Sequence, residues 1–218
     1  MYIFVPYSFW GFDAGIYLIS AIIGFVVAYF AFKAYDITEH RSHFYLYLGF
    51  VLLSMGFLVL SLSSFYGVLN VKMTCTEACY NRIFDPDFEI RDLGYWIYYL
   101  ASVVAYGLFA LMYFPETGRM SFFILPVWYV FFPFFHLLSF FLISYVIFRS
   151  IIGHLHTRNT NSLLIMVAFI SMGAFHVLLF LVSFSKIMYV IAHFILLFGF
   201  LSLFSVLYRI NKKAGEGG

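Results

Sequence analysis

The sequence predicts an all-α fold, a polytopic bundle of seven membrane-spanning helices (or six) in which a three-helix unit is written twice. Three observations predict it. The 218-residue chain is 64% hydrophobic and 10% charged, with mean hydropathy +0.98, whereas soluble domains are about 45–50% apolar and about 25% charged. Apolar runs of about twenty residues recur, the length that crosses about 30 Å of hydrocarbon; a membrane β-barrel would show short alternating segments instead. Finally, GFVLLSMGFLVLSLSS (49–64) has a near twin in VAFISMGAFHVLLFLVSFS (167–185), with Ser-Met-Gly at 54–56 and again at 171–173.

Residues 1–32 contain no Lys or Arg, so the basic region of a secretory signal peptide is missing and the first apolar run, about Asp13 to Phe32, is expected to stay as a helix. Lys33 to His43 make a polar turn, and a second span runs from about Phe44 to Tyr66. NVKMTCTEACYNRIFDPDFEIRD, Asn70 to Asp92, is the one long loop. A third span, about Leu93 to Phe114, is stopped by PETGR. Met120 to Phe148 carries Pro126 and Pro133 and no Asp, Glu, Lys or Arg; it fits one long kinked helix or two short spans turning near Pro133. After the turn RSIIGHLHTRNTN come spans from about Ser162 to Ser185 and Ile187 to Leu207. Residues 209–218, opening with RINKK, read as a basic flexible tail behind a single membrane domain over 1–208.

The duplication extends beyond the twin phrase. YFAFKAY (29–35) resembles YVIFRSI (145–151) upstream of it, and YLASVVAYGLF (99–109) resembles VIAHFILLFGF (190–200) downstream, giving repeat units of about 9–114 and 130–208. Two triplets joined directly would be inverted in the membrane, while two separated by a linking helix would be parallel. The first arrangement gives six spans and the second seven, as 3+1+3. Charge leaves a tie. Lys33, Arg41, Arg119, Arg149, Arg158, Arg209, Lys212 and Lys213 fall on one side and Lys72, Arg82, Arg91 and Lys186 on the other for either count, with the sides exchanged. The long loop favours seven. It holds both cysteines, Cys75 and Cys79, four apart in CTEAC, a spacing that reaches disulfide distance when locally helical, and disulfides persist in oxidising compartments. A surface disulfide is preferred over a metal or redox pair. The N-terminus is then outside and the C-terminus cytoplasmic in a multi-pass cell-membrane protein.

Small residues four or seven apart, Ser20/Gly24/Ala28, Gly49/Gly56/Ser63 and Ala101/Ala105, predict close helix packing, and would equally serve a homo-oligomer. No Asp, Glu, Lys or Arg falls mid-span, which argues against proton relays and ion-coupled transport. Lys186 sits at a helix start, so no retinal Schiff base is expected. His136, His176 and His193 do lie within spans; at 1.5 Å per residue the last two are roughly 10–15 Å from the face carrying Lys186. Three imidazoles at one depth would suit zinc, copper or a b-type haem; alternatively each hydrogen-bonds a neighbouring Ser, Tyr or carbonyl. His40/His43 and His154/His156 read chiefly as solvated turn residues, with metal binding or pH sensing as the other reading. No nucleophile elbow, phosphate loop or catalytic carboxylate pair is present, so an enzyme is not expected. A net charge of +2 gives no reason for a nucleic-acid partner.

FVVAYFAFKAYDITEHRSHFYLYLGFVLLSMGFLVLS (25–61) resembles the start of the seven-helix membrane region of archaeal and bacterial sensor kinases. That resemblance implies a sensor role with a cytoplasmic signalling partner, since this chain closes on RINKKAGEGG with no kinase behind it. The 3+1+3 layout is also similar to sugar-transporting seven-helix proteins and their Pro-Gln-loop relatives, although the chain contains no Gln. The leading expectation is a receptor-like module sensing an outer-face ligand or the bilayer state. A small-solute carrier with its site between the triplets comes second, and a haem or metal redox subunit using His136, His176 and His193 third.

Overall fold

The computed structural model describes residues 10–74, 90–113, 134–183, 185 and 187–216. Among these lie six helices long and apolar enough to cross a membrane, and no strand. They are α1 (Trp10–Thr38), α2 (Arg41–Thr74), α3 (Ile90–Leu111), α4 (Phe134–Thr157), α5 (Thr160–Phe180) and α6 (Ile187–Glu216), with a 3₁₀ turn at Leu181–Ser183. Six of the expected spans are present, and the first, second and last are longer than expected because polar flanks continue the hydrogen-bonded turns past the apolar stretch. α1 runs on through Lys33 and Asp36 to Thr38, and α6 runs on through Arg209 and Lys212 to Glu216. Within the ambiguous stretch 120–148, residues from Phe134 onward are helix, and Met120 to Pro133 lie outside the described residues. Cys75, Cys79 and most of the long loop lie outside the described residues.

The two tight turns are built alike. Thr38 Oγ1 donates to the Ala34 carbonyl at 2.7 Å and Thr157 Oγ1 to the Gly153 carbonyl at 2.9 Å. The following residues, Glu39 (φ 53) and Arg158 (φ 50), adopt left-handed conformations, and their amides close on the Tyr35 and His154 carbonyls at 2.7 Å each. A left-handed residue after the last helical turn satisfies carbonyls that the helix leaves open. Asn159 then caps α5, its side chain accepting from the Ser162 amide at 2.7 Å.

The helices form a closed ring in chain order, each packed on the next and α6 back on α1. Packing is most extensive within α1–α2–α3 and within α4–α5–α6, so the ring consists of two three-helix units meeting at two seams. Direction follows from contacts. α2 and α3 are antiparallel, with Ser42 Oγ donating to the Met112 carbonyl at 3.4 Å near one end and Gly94 against Ser63 near the other. α4 and α5 are antiparallel, with His136 beside His176 at one end and His154 beside Ser162 at the other. At the seams the helices are parallel. Tyr17 meets Tyr189 and Phe30 meets Phe204 along α1/α6; Tyr99 stacks on Phe135 (centroids 3.9 Å) while Tyr113 lies near Arg149 along α3/α4. Burial pushes the Tyr113 phenol up to about 12, and the Arg149 guanidinium works against that rise. Tyr113 and Phe134 therefore stand toward opposite ends of the bundle, about 20 Å apart along its axis.

An aromatic plug fills the ring: Phe50 meets Phe109 at 5.1 Å and Phe200 at 5.3 Å, and Phe57 meets Phe200 at 6.2 Å. Large apolar side chains cover the outside as well, Phe141, Phe148, Phe194 and Phe198 among them. A surface as apolar as its core belongs in lipid, where close packing replaces the hydrophobic effect as the force between helices.

Candidate functional site

Buried polar side chains gather near the end of the bundle where α1 and α6 begin. Tyr106, on α3, reaches across the ring to α5, its hydroxyl 2.7 Å from His176 Nε2. His176 Nδ1 lies 3.1 Å from His136 Nδ1 on α4. These three groups, all buried, make one hydrogen-bonded chain over three helices. A neutral imidazole has one donor and one acceptor nitrogen, so the proton order along the chain runs one way or the other as a unit.

A second chain joins α1 to α6. Tyr17 and Tyr189 share a 2.7 Å hydroxyl–hydroxyl bond, and Tyr189 also hydrogen-bonds the Asp13 side chain. Asp13 is 1% exposed although it stands in the first turn of α1, where the unsatisfied amides of the helix N-terminus favour a carboxylate. One turn deeper on α6, His193 Nδ1 is 2.7 Å from the Tyr189 carbonyl. A carbonyl only accepts, so Nδ1 carries the proton and Nε2 presents its lone pair. Nε2 is buried and meets no hydrogen-bond partner among the described residues.

Aromatic rings enclose both chains. His193 is flanked by Tyr189 (4.4 Å between centroids), Tyr17 (5.2 Å), Phe175 (5.4 Å) and Phe12 (6.3 Å). Phe175 also contacts His176 at 5.1 Å and so bridges the two chains. Phe135 and Tyr99 close the side of His136.

The structure thus brings His136 and His176 into contact and sets His193 across Phe175 from them. Among the described residues no group of three or more His, Cys, Asp or Glu side chains is arranged to hold a metal ion. His176 uses both ring nitrogens within the protein, and aromatic rings enclose His193. The turn histidines serve the turns. His43 Nδ1 is 2.8 Å from Thr38 Oγ1, and His154 Nδ1 is 3.0 Å from Ser162 Oγ. The hydroxyl partners Tyr17, Tyr106 and Tyr189 escape a reading by residue type, because the chain has 18 tyrosines. Asp13 escapes it because a carboxyl at the edge of an apolar run resembles a solvated helix start; its one signal is that apolar residues flank it on both sides.

Comparison with known proteins adds one finding. Residues 14–79 match the model of a family of unknown function, DUF7521, a stretch that takes in α1 from Ala14 onward and all of α2. No curated protein and no solved structure matches the chain.

Proposed function

We propose that the chain is a receptor-like, seven-span membrane module in which a polar seam between two three-helix units responds to an outer-face ligand or to the bilayer and passes the response to a cytoplasmic partner. One observation carries this reading: the Tyr17–Tyr189 and Tyr106–His176 bonds both cross between the units, and both lie toward the same end. An event at that end acts on the relative placement of the units, and hence on the opposite end. Seven spans rather than six are supported by the parallel run of the consecutive helices α3 and α4. Positive charge supports the orientation, since Lys33, Arg41, Arg149, Arg158, Arg209 and Lys212 all stand toward the far end, the cytoplasmic one by the positive-inside rule. A small-solute carrier is the second reading, favoured by the location of the cluster between the units, where transporters built from repeats bind substrate.

Spin labels at Phe32 and Leu155, exposed positions on α1 and α4 toward the basic end, test the coupling in nanodiscs with Cys75 and Cys79 replaced by Ser. Cutting both seam bonds with Tyr17→Phe and Tyr106→Phe should shift the distance distribution between the labels. Superimposable distributions would sink the receptor reading. Uptake of radiolabelled solutes by proteoliposomes, reduced in the same double variant, would replace it with the carrier.

A further inference from the structure

Toward the basic end of the α1/α6 seam, aromatic rings from both three-helix units meet at the lipid-facing surface. Phe30 of α1 contacts Phe204 at 5.4 Å and Tyr208 at 6.1 Å, both on α6, and Tyr29 stands edge-on to Phe30 at 5.4 Å. Tyr29 and Tyr208 are 61% and 50% exposed, as suits amphipathic rings at the level of lipid headgroups. Phe30 and Phe204 are only partly buried. One turn earlier on each helix, Val26 and Leu201 continue the same apolar strip and are exposed.

One turn beyond the rings the strip becomes basic. Lys33 follows Phe30 by three residues and Lys212 follows Tyr208 by four, spacings that return to the same helix face. Both are exposed, as is Arg209. Asn211 fixes the two helices at this depth, its Nδ2 donating to the Phe30 carbonyl at 3.2 Å and to the Leu207 carbonyl at 2.8 Å. Lys33, Arg209 and Lys212 outnumber Asp36, the one carboxylate among the described side chains past Phe30 on α1 and past Tyr208 on α6.

We propose that this strip binds an anionic phospholipid, its phosphate between Lys33 and Lys212 and an acyl chain along Phe30 and Phe204, so that one lipid bridges the two three-helix units. Charge and shape together select that occupant. Basic residues between helices at a membrane surface recognise anionic headgroups, and the apolar strip leads from them along the helix axes, the direction of an acyl chain. A zwitterionic lipid would set its own cation against the lysines. Inorganic phosphate would leave the rings unused, and an acidic protein segment would not reach rings at acyl-chain depth. The site goes beyond the receptor reading and holds equally for a carrier, since it rests on the membrane embedding and the α1/α6 packing.

Local fluorescence quenching tests it. With Cys75 and Cys79 replaced by Ser, Val26→Cys carries a bimane label beside the proposed acyl chain, and Val104→Cys, exposed on α3, carries the same label away from it. Phosphatidylcholine nanodiscs receive increasing fractions of phosphatidylglycerol with brominated acyl chains, or of brominated phosphatidylcholine. At Val26 the brominated phosphatidylglycerol should reach half-maximal quenching at about a tenth of the fraction that phosphatidylcholine needs, and Lys33→Gln with Lys212→Gln should bring the two curves to within about two-fold. At Val104 the curves should coincide throughout. Coincident curves at Val26, or a preference that survives the double substitution, overturn the proposal. An equal preference at Val104 also overturns it, by showing a general attraction to the basic end. Loss of the preference when inorganic phosphate replaces chloride at constant ionic strength would reassign the lysines to a free anion.

Discussion

Tyr17 and Tyr189 come from helices that share no turn, and their hydroxyls meet at 2.7 Å where hydrocarbon surrounds the bundle. Replacing Tyr189 by Phe removes the Tyr17 hydroxyl's bond to it, replacing Tyr17 leaves Tyr189 only its bond to Asp13, and replacing both leaves neither hydroxyl. Each single change should cost about 0.5–1.5 kcal/mol, and the double change should cost less than the sum of the two, with a coupling of about 1 kcal/mol. Unfolding of the four proteins in mixed detergent micelles measures this cycle, and strict additivity would show that the bond contributes nothing. At this scale the sequence is half legible. His136, His176 and His193 stand out because few other polar groups occupy the spans, and their shared depth follows from helical rise. Which imidazole touches which does not, because contact depends on how helices rotate about their axes, and almost uniformly apolar helices reveal little of their buried face. Asp13 shows the complementary failure: its position at a helix start is plain, but its burial depends on α6 arriving beside it.

At the scale of elements, the repeated phrase and the repeated turn disagree by two residues. Thr38 corresponds to Thr157, 119 residues on, whereas Ser54 of Ser-Met-Gly corresponds to Ser171, 117 residues on. Two residues rotate a helix by about 200°, so the two copies of the phrase face opposite ways. Ser54 meets Gly24 on the first helix of its unit, and Ser171 meets Gly199 on the last helix of its own; Met55 is 48% exposed and Met172 wholly buried. The likeness of the phrases is genuine as sequence, but the turns locate equivalent positions better. In the register of the turns, His136 takes the place of Tyr17. Two substitutions follow. A Cβ at Gly199 would lie 2.9 Å from Ser171 Cβ and 3.0 Å from the Ala168 carbonyl oxygen, so Gly199→Ala should destabilise by about 1–3 kcal/mol. Gly107→Ala, with nothing within 4 Å, should cost nothing; equal melting temperatures for the two variants would contradict this packing. Arg158 holds a left-handed conformation that glycine adopts without strain. Arg158→Gly should therefore raise stability by about 0.5–1 kcal/mol, readable as a higher melting temperature.

At the scale of the molecule, membrane embedding and helical class are legible from composition alone, because 64% hydrophobic residues leave no other solvent for the chain. Direction is not, since charge counts exchange sides as the number of spans changes, although the described basic residues stand mostly toward one end of the bundle. Single cysteines introduced at Leu93 and Leu155, exposed toward opposite ends, test the proposed orientation in a background with Cys75 and Cys79 replaced by Ser. An impermeant maleimide applied to intact cells should label the Leu93 position and reach the Leu155 position only after permeabilisation. The reverse pattern would invert the topology.

The parallel seams also bear on ancestry and assembly. Units related by an axis along the membrane normal share one insertion direction, so a lone three-helix unit could pair with a second copy of itself inserted by the same rule. An inverted pair would need one polypeptide to enter the bilayer both ways. Had two copies of one unit been fused, the fusion would have required only a tether that returns the chain to its starting side, after which each half was able to diverge, one keeping a tyrosine at the shared boundary and the other acquiring a histidine.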